Sequence, residues 1–146
     1  MGLFNVMAIG SSGLNAQRIR MDVHSANLAN MNTTRGVDGG PYRRRVPLLR
    51  AVEVENFGSD FAEIVDRQRK LFEVEVQKVV DDGRAPILVH EPDHPDADEN
   101  GNVAYPDINM MEEMAGLMSA ARSYEANLSA ITAAKEMAKK ALELGR

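Results

Sequence analysis

From Asn109 to Leu144 an apolar residue recurs every three or four positions, and that period commits a quarter of the chain to one long helix. Met110, Met114, Leu117, Ala121, Tyr124, Leu128 and Ile131 alternate steps of four and three without a break. The next place in that register is Lys135. There the stripe shifts to Ala134, Met137 and Ala141, while Ala138 and Leu142 rejoin the original row. A stripe of this kind is coiled-coil-like and belongs to a helix that lies along another helix. At the rise of an α-helix it predicts a rod about 50 Å long. Asp107 or Asn109 can cap its N-terminus. Glu112 and Glu113 complement the dipole there, and Lys139 and Lys140 complement it at the other end.

A second helix is predicted at the start of the chain, up to about Arg35. Met7, Leu14, Met21 and Leu28 recur every seven residues, and a second row runs Ala16, Ile19, Val23 and Ala26. Together they form a broad apolar face of helical period. Gly10 and Gly13 weaken its first turns, each by roughly 1 kcal/mol against Ala. Gly36 can serve as the residue that closes the helix, and Gly39, Gly40 and Pro41 forbid continuation. Between the helices, "RRRVPLLRAVEVENF" and "LFEVEVQKVV" alternate apolar and polar residues as half-buried strands do, and "APILVHEP" is a short strand closed by Pro92. "DFAEIVDRQRKLF" fits a short helix poorly, and "EPDHPDADENGNVAYPD" reads as a connector. The expected architecture is mainly α with a small β-rich middle, an α+β chain. An N-terminal helix lies in 1–40, a β-rich middle in 41–106, and a C-terminal helix in 107–146. The chain must return from the middle, so the two helices are expected to pair antiparallel as one discontinuous helical domain.

Composition limits what such a chain can do. Its 146 residues suit one domain, but with no Trp, four Phe and three Tyr it has few large anchors for a private core. A net charge of -5 argues against a general nucleic-acid binder. The absence of cysteine excludes disulfides, thiol catalysis and Cys-ligated metal. "MGLFNVMAIGSS" lacks the basic n-region and long apolar run of a secretory signal, and no segment approaches the ~20 apolar residues of a membrane span.

Several motifs invite a sharper chemistry. Asp96, Asp98, Asn100, Gly101 and Asp107 stand at EF-hand positions for calcium. Pro92 and Pro95 occupy the place of the entering helix, Pro106 disturbs the exit, and Asp107 is shorter than the usual bidentate Glu. The competing reading is a turn stabilised by Asp and Gly. His90 and His94 are separated by Pro92, so they share no helix face, and His24 stands alone in the first helix. No third ligand or nucleophile is placed beside any of them. Arg43, Arg44, Arg45 and Arg50 could grip an anionic polymer, but such runs more often form solvated strand faces or ion-paired interfaces. Met110, Met111, Met114 and Met118 suit packing better than metal binding. No cofactor is expected.

The amides are harder to set aside. Ala-Asn-Leu occurs once in each predicted helix, with Asn27 in the first and Asn127 in the second, and Asn30 closes "NLAN". Asn in an apolar stripe costs stability but fixes register and partner through its hydrogen bonds. Small residues around it let backbones approach. Two long helices with broad apolar faces and few large side chains bury themselves poorly as a pair and better among copies or relatives. The candidate assembly residues are Leu14, Met21, Asn27, Leu28 and Asn30 on the first helix, with Met110, Met114, Leu117, Tyr124, Asn127, Leu128 and Ile131 on the second.

"SSGLNAQRIRMDVHSANLANMNTTRG" resembles the N-terminal helix of the bacterial flagellar rod and hook proteins. Ser12-Gly13-Leu14, Ala16, Asn27 to Asn30, Thr34 and Gly36 match the family pattern. "MMEEMAGLMSAARSYEANLSAI" resembles the family's C-terminal helix. "GGPYRRRVP" and "HPDADENGNVAYPDINMMEEM" look like the junctions of its proximal rod members. The resemblance covers Gly2 to Arg45 and His90 to Arg146. It implies a non-enzymatic subunit of the basal-body rod, the drive shaft that crosses the periplasm, whose helices pack with copies of itself and with other rod proteins around the export channel. It also implies passage through the flagellar type III export apparatus without a cleaved signal. The alternatives are a cytoplasmic helical adaptor or chaperone that binds partner helices, which needs no such motifs, and an extracytoplasmic enzyme or peptidoglycan binder, which needs a catalytic cluster that the sequence does not offer.

Overall fold

The computed structural model describes residues 3–36, 39–53 and 71–144. In chain order these form α1 (Leu3–Ala29), β1 (Arg45–Glu53), β2 (Phe72–Asp81), β3 (Ile87–His90), β4 (Asn102–Tyr105) and α2 (Met110–Leu144). The stretch "FAEIVDRQRKLF", considered above as a short helix, lies almost wholly outside the described residues; its last residue, Phe72, opens β2.

α1 continues through Gly10 and Gly13 without a break. It ends earlier than the glycines after it suggest. The Asn30 side chain donates to the Ala26 carbonyl at 2.9 Å and accepts from the Thr33 hydroxyl at 3.2 Å. The Ala26 carbonyl also keeps the Asn30 N–H at 3.1 Å, but beyond it the ladder tightens: the Met31 N–H donates to Leu28 and the Thr33 N–H to Asn30, each three residues back, and the turn closes there. At the start of α2, Asn109 is the capping residue: its Oδ1 accepts from the backbone N–H of Met111 at 2.9 Å and of Glu112 at 3.4 Å.

The helices pack together antiparallel. Gly10 faces Ile131, Gly13 faces Asn127, and Gly116 faces His24, so rising numbers on α1 meet falling numbers on α2. The buried side chains of the seam are Ala16, Val23 and Asn27 on α1 and Glu113, Ala120 and Ala134 on α2. On α2 the most deeply buried row is therefore 113, 120 and 134, which lies beside the apolar stripe read from the sequence. Of that stripe, Leu117, Tyr124 and Ile131 are half-buried, whereas Met110, Met114 and Leu128 are exposed. The physical reason is backbone proximity. Rows of Ala and Gly let two helices come closer than rows of Leu and Met would. A Cβ added at Gly10 would stand 2.5 Å from Cγ1 of Ile131, and one at Gly13 would stand 2.9 Å from Nδ2 of Asn127. Close approach is what the small-residue surface of α1 provides.

β1 and β2 form an antiparallel hairpin in which Leu48 faces Lys78 and Leu49 faces Val76, leaving Gln77 as the extra residue of a bulge. The hairpin lies on α1 and is tethered at two places. The Val74 N–H donates to Ser12 Oγ at 3.2 Å, and Ser12 in turn donates to the Ile9 carbonyl at 2.8 Å. The second tether is Asn27, at the other end of the hairpin. β3 and β4 form a separate antiparallel pair, with Val89 opposite Val103. β4, "NVAY", falls inside the stretch read from sequence as a connector. It pairs because the intervening turn closes around Asp98, whose Oδ1 accepts the backbone N–H groups of Asn100 and Asn102, each at 2.8 Å. Those backbone bonds hold the Asp98 carboxyl below the usual carboxylate range. Gly101 follows at a φ of 74°, a left-handed conformation that glycine adopts without strain.

Gly116 generates a test of the seam. A Cβ there would overlap the ring of His24, which is itself held by a hydrogen bond to Glu113 and cannot swing aside freely. Gly116→Ala should therefore lower stability by about 1–3 kcal/mol, despite a gain of roughly 1 kcal/mol in helix propensity. Chemical denaturation measures it; a raised midpoint would show that the helices do not approach this closely.

Candidate assembly site

Two features of the helix pair bear on function: a charged cluster buried at one end, and an apolar face left uncovered on α2. The cluster begins with Glu113, in the first turn of α2, whose side chain has no exposed surface. An unpaired carboxylate in such a place would be prohibitively costly, so its partners decide whether the fold stands. His24 on α1 donates from Nδ1 to Oε2 at 2.7 Å. Asn27, one turn later on α1, donates from Nδ2 to the same oxygen at 3.0 Å. Arg44, from the segment entering β1, donates from Nε to Oε1 at 2.7 Å. Burial pushes the Glu113 carboxyl up, but the three hydrogen bonds and the Arg44 charge outweigh it, and the group lies below its ordinary value of 4.5.

Arg44 extends the cluster to the base of the hairpin. Its Nη1 donates to Asp82 at 2.8 Å and its Nη2 to Glu112 at 3.2 Å. Burial alone pulls the guanidinium pKa down; bonds to Glu113 and Asp82 more than offset that. Arg84 completes the set, 2.8 Å from Asp82 and bridging both oxygens of Glu112 at 3.3 and 3.4 Å. One guanidinium thus joins α2 to the residue that follows β2. Asn27 does as much on the other side. It is fully buried, and all four of its hydrogen-bonding positions are used. Besides Glu113, its Nδ2 donates to the Arg45 carbonyl at 2.9 Å. Its Oδ1 accepts the Arg45 N–H at 2.9 Å and the Tyr42 hydroxyl at 3.0 Å. Among the described residues no buried side-chain nitrogen or oxygen lacks a partner.

The residues singled out in the sequence fall into distinct places. Asn27 lies in the charged cluster. Asn127 and Ile131 lie in the seam against Gly13 and Gly10. Leu14, Met21, Leu28, Leu117 and Tyr124 are half-buried. Asn30 closes α1 locally. Met110, Met114 and Leu128 lie on the exposed side of α2 with Met111 and Met118; Met111 is 73% and Leu128 49% exposed. Of the arginine run, Arg44 is largely covered, Arg45 lies 5.6 Å over the Tyr42 ring, and Arg50 pairs with Glu75 at 2.7 Å on the hairpin surface. In the Asp-rich loop, Asp96 accepts from the Thr34 hydroxyl at 2.7 Å, while Asp98 serves backbone N–H groups. Among the described residues no three His, Cys, Asp or Glu side chains converge as metal ligands.

Sequence reasoning missed Glu113, Arg44 and His24 as partners. The signal for Glu113 was present: it begins the seven-residue row continued by Ala120, Asn127 and Ala134. A carboxylate in a row of small residues must meet a donor. Nothing local shows which of four arginines supplies it.

Comparison with known proteins gives a consistent result. Residues 7–35 match the family of flagella basal body rod proteins, and residues 99–144 match the C-terminal family of flagellar basal body rod FlgEFG proteins. The flagellar basal-body rod protein FlgC of Bacillus subtilis is 41% identical over the whole of both chains. That of Borreliella burgdorferi is 39% identical over 99% of this chain and 98% of its own. That of Salmonella typhimurium is 34% identical, again over the whole of both.

Removing the central carboxylate should be severe. Glu113→Ala takes one acceptor from each of His24, Asn27 and Arg44, and should cost about 3 kcal/mol, the low end for a broken buried pair, because Arg44 keeps Asp82 and Glu112. The acid response has a defined sign. Because the folded Glu113 value is lowered, its contribution is complete above 4.5 and is lost as pH falls through the folded value. Denaturation midpoints measured from pH 6 down to pH 2 should fall in wild type. The fall should be shallower in Glu113→Gln, which cannot titrate; parallel curves would refute the assignment.

Proposed function

The chain belongs to the FlgC family of flagellar basal-body rod proteins and is a structural subunit of the flagellar rod; from that premise we propose that it polymerises through its terminal helices. In this reading α1 and α2 pair as a coiled-coil-like unit within the subunit. The uncovered face of α2 packs against copies of the chain and against other rod proteins. The ring of helix pairs encloses the export channel, and the assembly carries torque along the shaft. In the same reading α1 and α2 build the tube, and the β-rich middle lies outside it.

The observation that carries this is the uncovered apolar face of α2. Met110, Met111, Met114, Met118 and Leu128 remain exposed although α1 already covers the other side of the helix. A helix with one side buried in its own subunit and apolar groups still in water has a second partner to find. Among the described residues no helix is long and apolar enough to cross a membrane. We place the subunit in the periplasmic part of the basal body, delivered by the flagellar export apparatus.

The test separates folding from assembly. Leu128→Asp, on the uncovered face, should leave the stability of the subunit within about 0.5 kcal/mol, as surface changes usually do. It should nonetheless abolish rods, because assembly would bury the new carboxylate at a cost of several kcal/mol. Circular dichroism of the purified subunit, with swimming of a deletion strain carrying the variant, reads both. Normal swimming would show that this face stays in water.

A further inference from the structure

We propose that the Asn27 amide is a positioning group: it fixes the direction in which the β1–β2 hairpin leaves the helix pair, and so makes tube and outer region one rigid body. The proposal deepens the rod-subunit reading and rests on it for its consequence in assembly. The joint itself rests only on the geometry.

Within a strand, the N–H and C=O of one residue point to the same side. Those of Arg45, the first residue of β1, both meet the Asn27 side chain, at 2.9 Å each. A primary amide has the same donor and acceptor pair as a peptide group. Asn27 therefore takes the place that a neighbouring strand would occupy at the outer edge of β1. Two parallel bonds to one residue define an angle as well as a position, which a single contact cannot. The amide is itself immobilised, since Glu113 on α2 accepts from its Nδ2 at 3.0 Å and Tyr42 donates to its Oδ1 at 3.0 Å. Arg44, adjacent in sequence, bonds Glu113 on one side and Asp82 at the end of the hairpin on the other. The hairpin is thus referenced to both helices at its base, whereas Ser12 and Val74 share a single bond further along. No other amino acid reproduces the pattern. Asp lacks the donor, Leu lacks both groups, and Gln places the amide one carbon further out.

Site-directed spin labels measure the angle directly, and the chain has no cysteine to remove. Labels at Lys78→Cys on β2 and Lys135→Cys on α2, both exposed, report the hairpin-to-helix distance in the full chain. Asn27→Ala should broaden the distance distribution at least twofold and reduce swimming of a deletion strain at least tenfold. Ala120→Gly weakens the seam without touching the joint, and should leave the width as in wild type even where it lowers the denaturation midpoint equally. Tyr42→Phe removes one restraint on the amide and should broaden the distribution less, with the fold retained; it decides the matter should Asn27→Ala fail to fold. Unchanged widths in Tyr42→Phe and in folded Asn27→Ala overturn the proposal, as does equal broadening in Ala120→Gly. A wild-type chain that fails to restore swimming would instead count against the rod reading, leaving the distances to judge the joint.

Discussion

Glu113 can remain ionised without exposed surface only because three donors from two distant chain segments reach it at once. His24 and Asn27 come from α1, and Arg44 comes from the approach to the hairpin. Each of those segments is separately unremarkable, and neither could bury the charge alone. The cost of an unpaired carboxylate makes their arrival mutually dependent. Pairing of the helices, placement of the hairpin and closure of the buried cluster are therefore one event in energetic terms. That dependence explains how a chain with so little large apolar material holds a defined shape. Among the described residues the buried apolar ones, apart from Pro106, are Ala16, Val23, Val103, Ala120 and Ala134.

Small residues and charges divide the work along the helix pair. Toward the Gly10 and Gly13 end, the helices are close because there is no side chain to separate them. Dispersion between closely spaced atoms supplies the cohesion, and little apolar area is consumed. At the Glu113 end, hydrogen bonds of fixed direction supply register, which alanine contacts do not. A subunit built this way reserves its larger side chains. Met111, Met118 and Leu128 face outward, where the rod-subunit reading places other subunits. The weak private core and the uncovered face are two aspects of one allocation.

Much of this was legible in the residues. The long helices, their antiparallel return, the strands of the middle and the assembly character all follow from period, small-residue content and motif. Position before the stripe narrows the cap to Asp107 or Asn109, and the structure selects Asn109. The reading of α2 went as far as periodicity can go. Two rows of three-and-four spacing overlap on one helix, and side-chain size points to the row holding Met114 and Leu128. The structure turns the row holding Ala120 and Ala134 inward instead. β4 was hidden because its four residues follow a turn whose closure depends on Asp98 accepting two backbone N–H groups.

Residue order alone dictates two helices too sparsely furnished to be self-sufficient, and amides that stand in their apolar faces. Both are matters of local spacing, and spacing is written in the chain. What the amides and charges meet depends on the fold. Asn27 and Glu113 are 86 positions apart, and Arg44 and Glu113 are 69 apart. A lone histidine, one arginine of four and one glutamate of a pair carry no mark of one another along the chain. They become a site because burial forbids an unpaired charge, and only a folded backbone determines which groups are buried together.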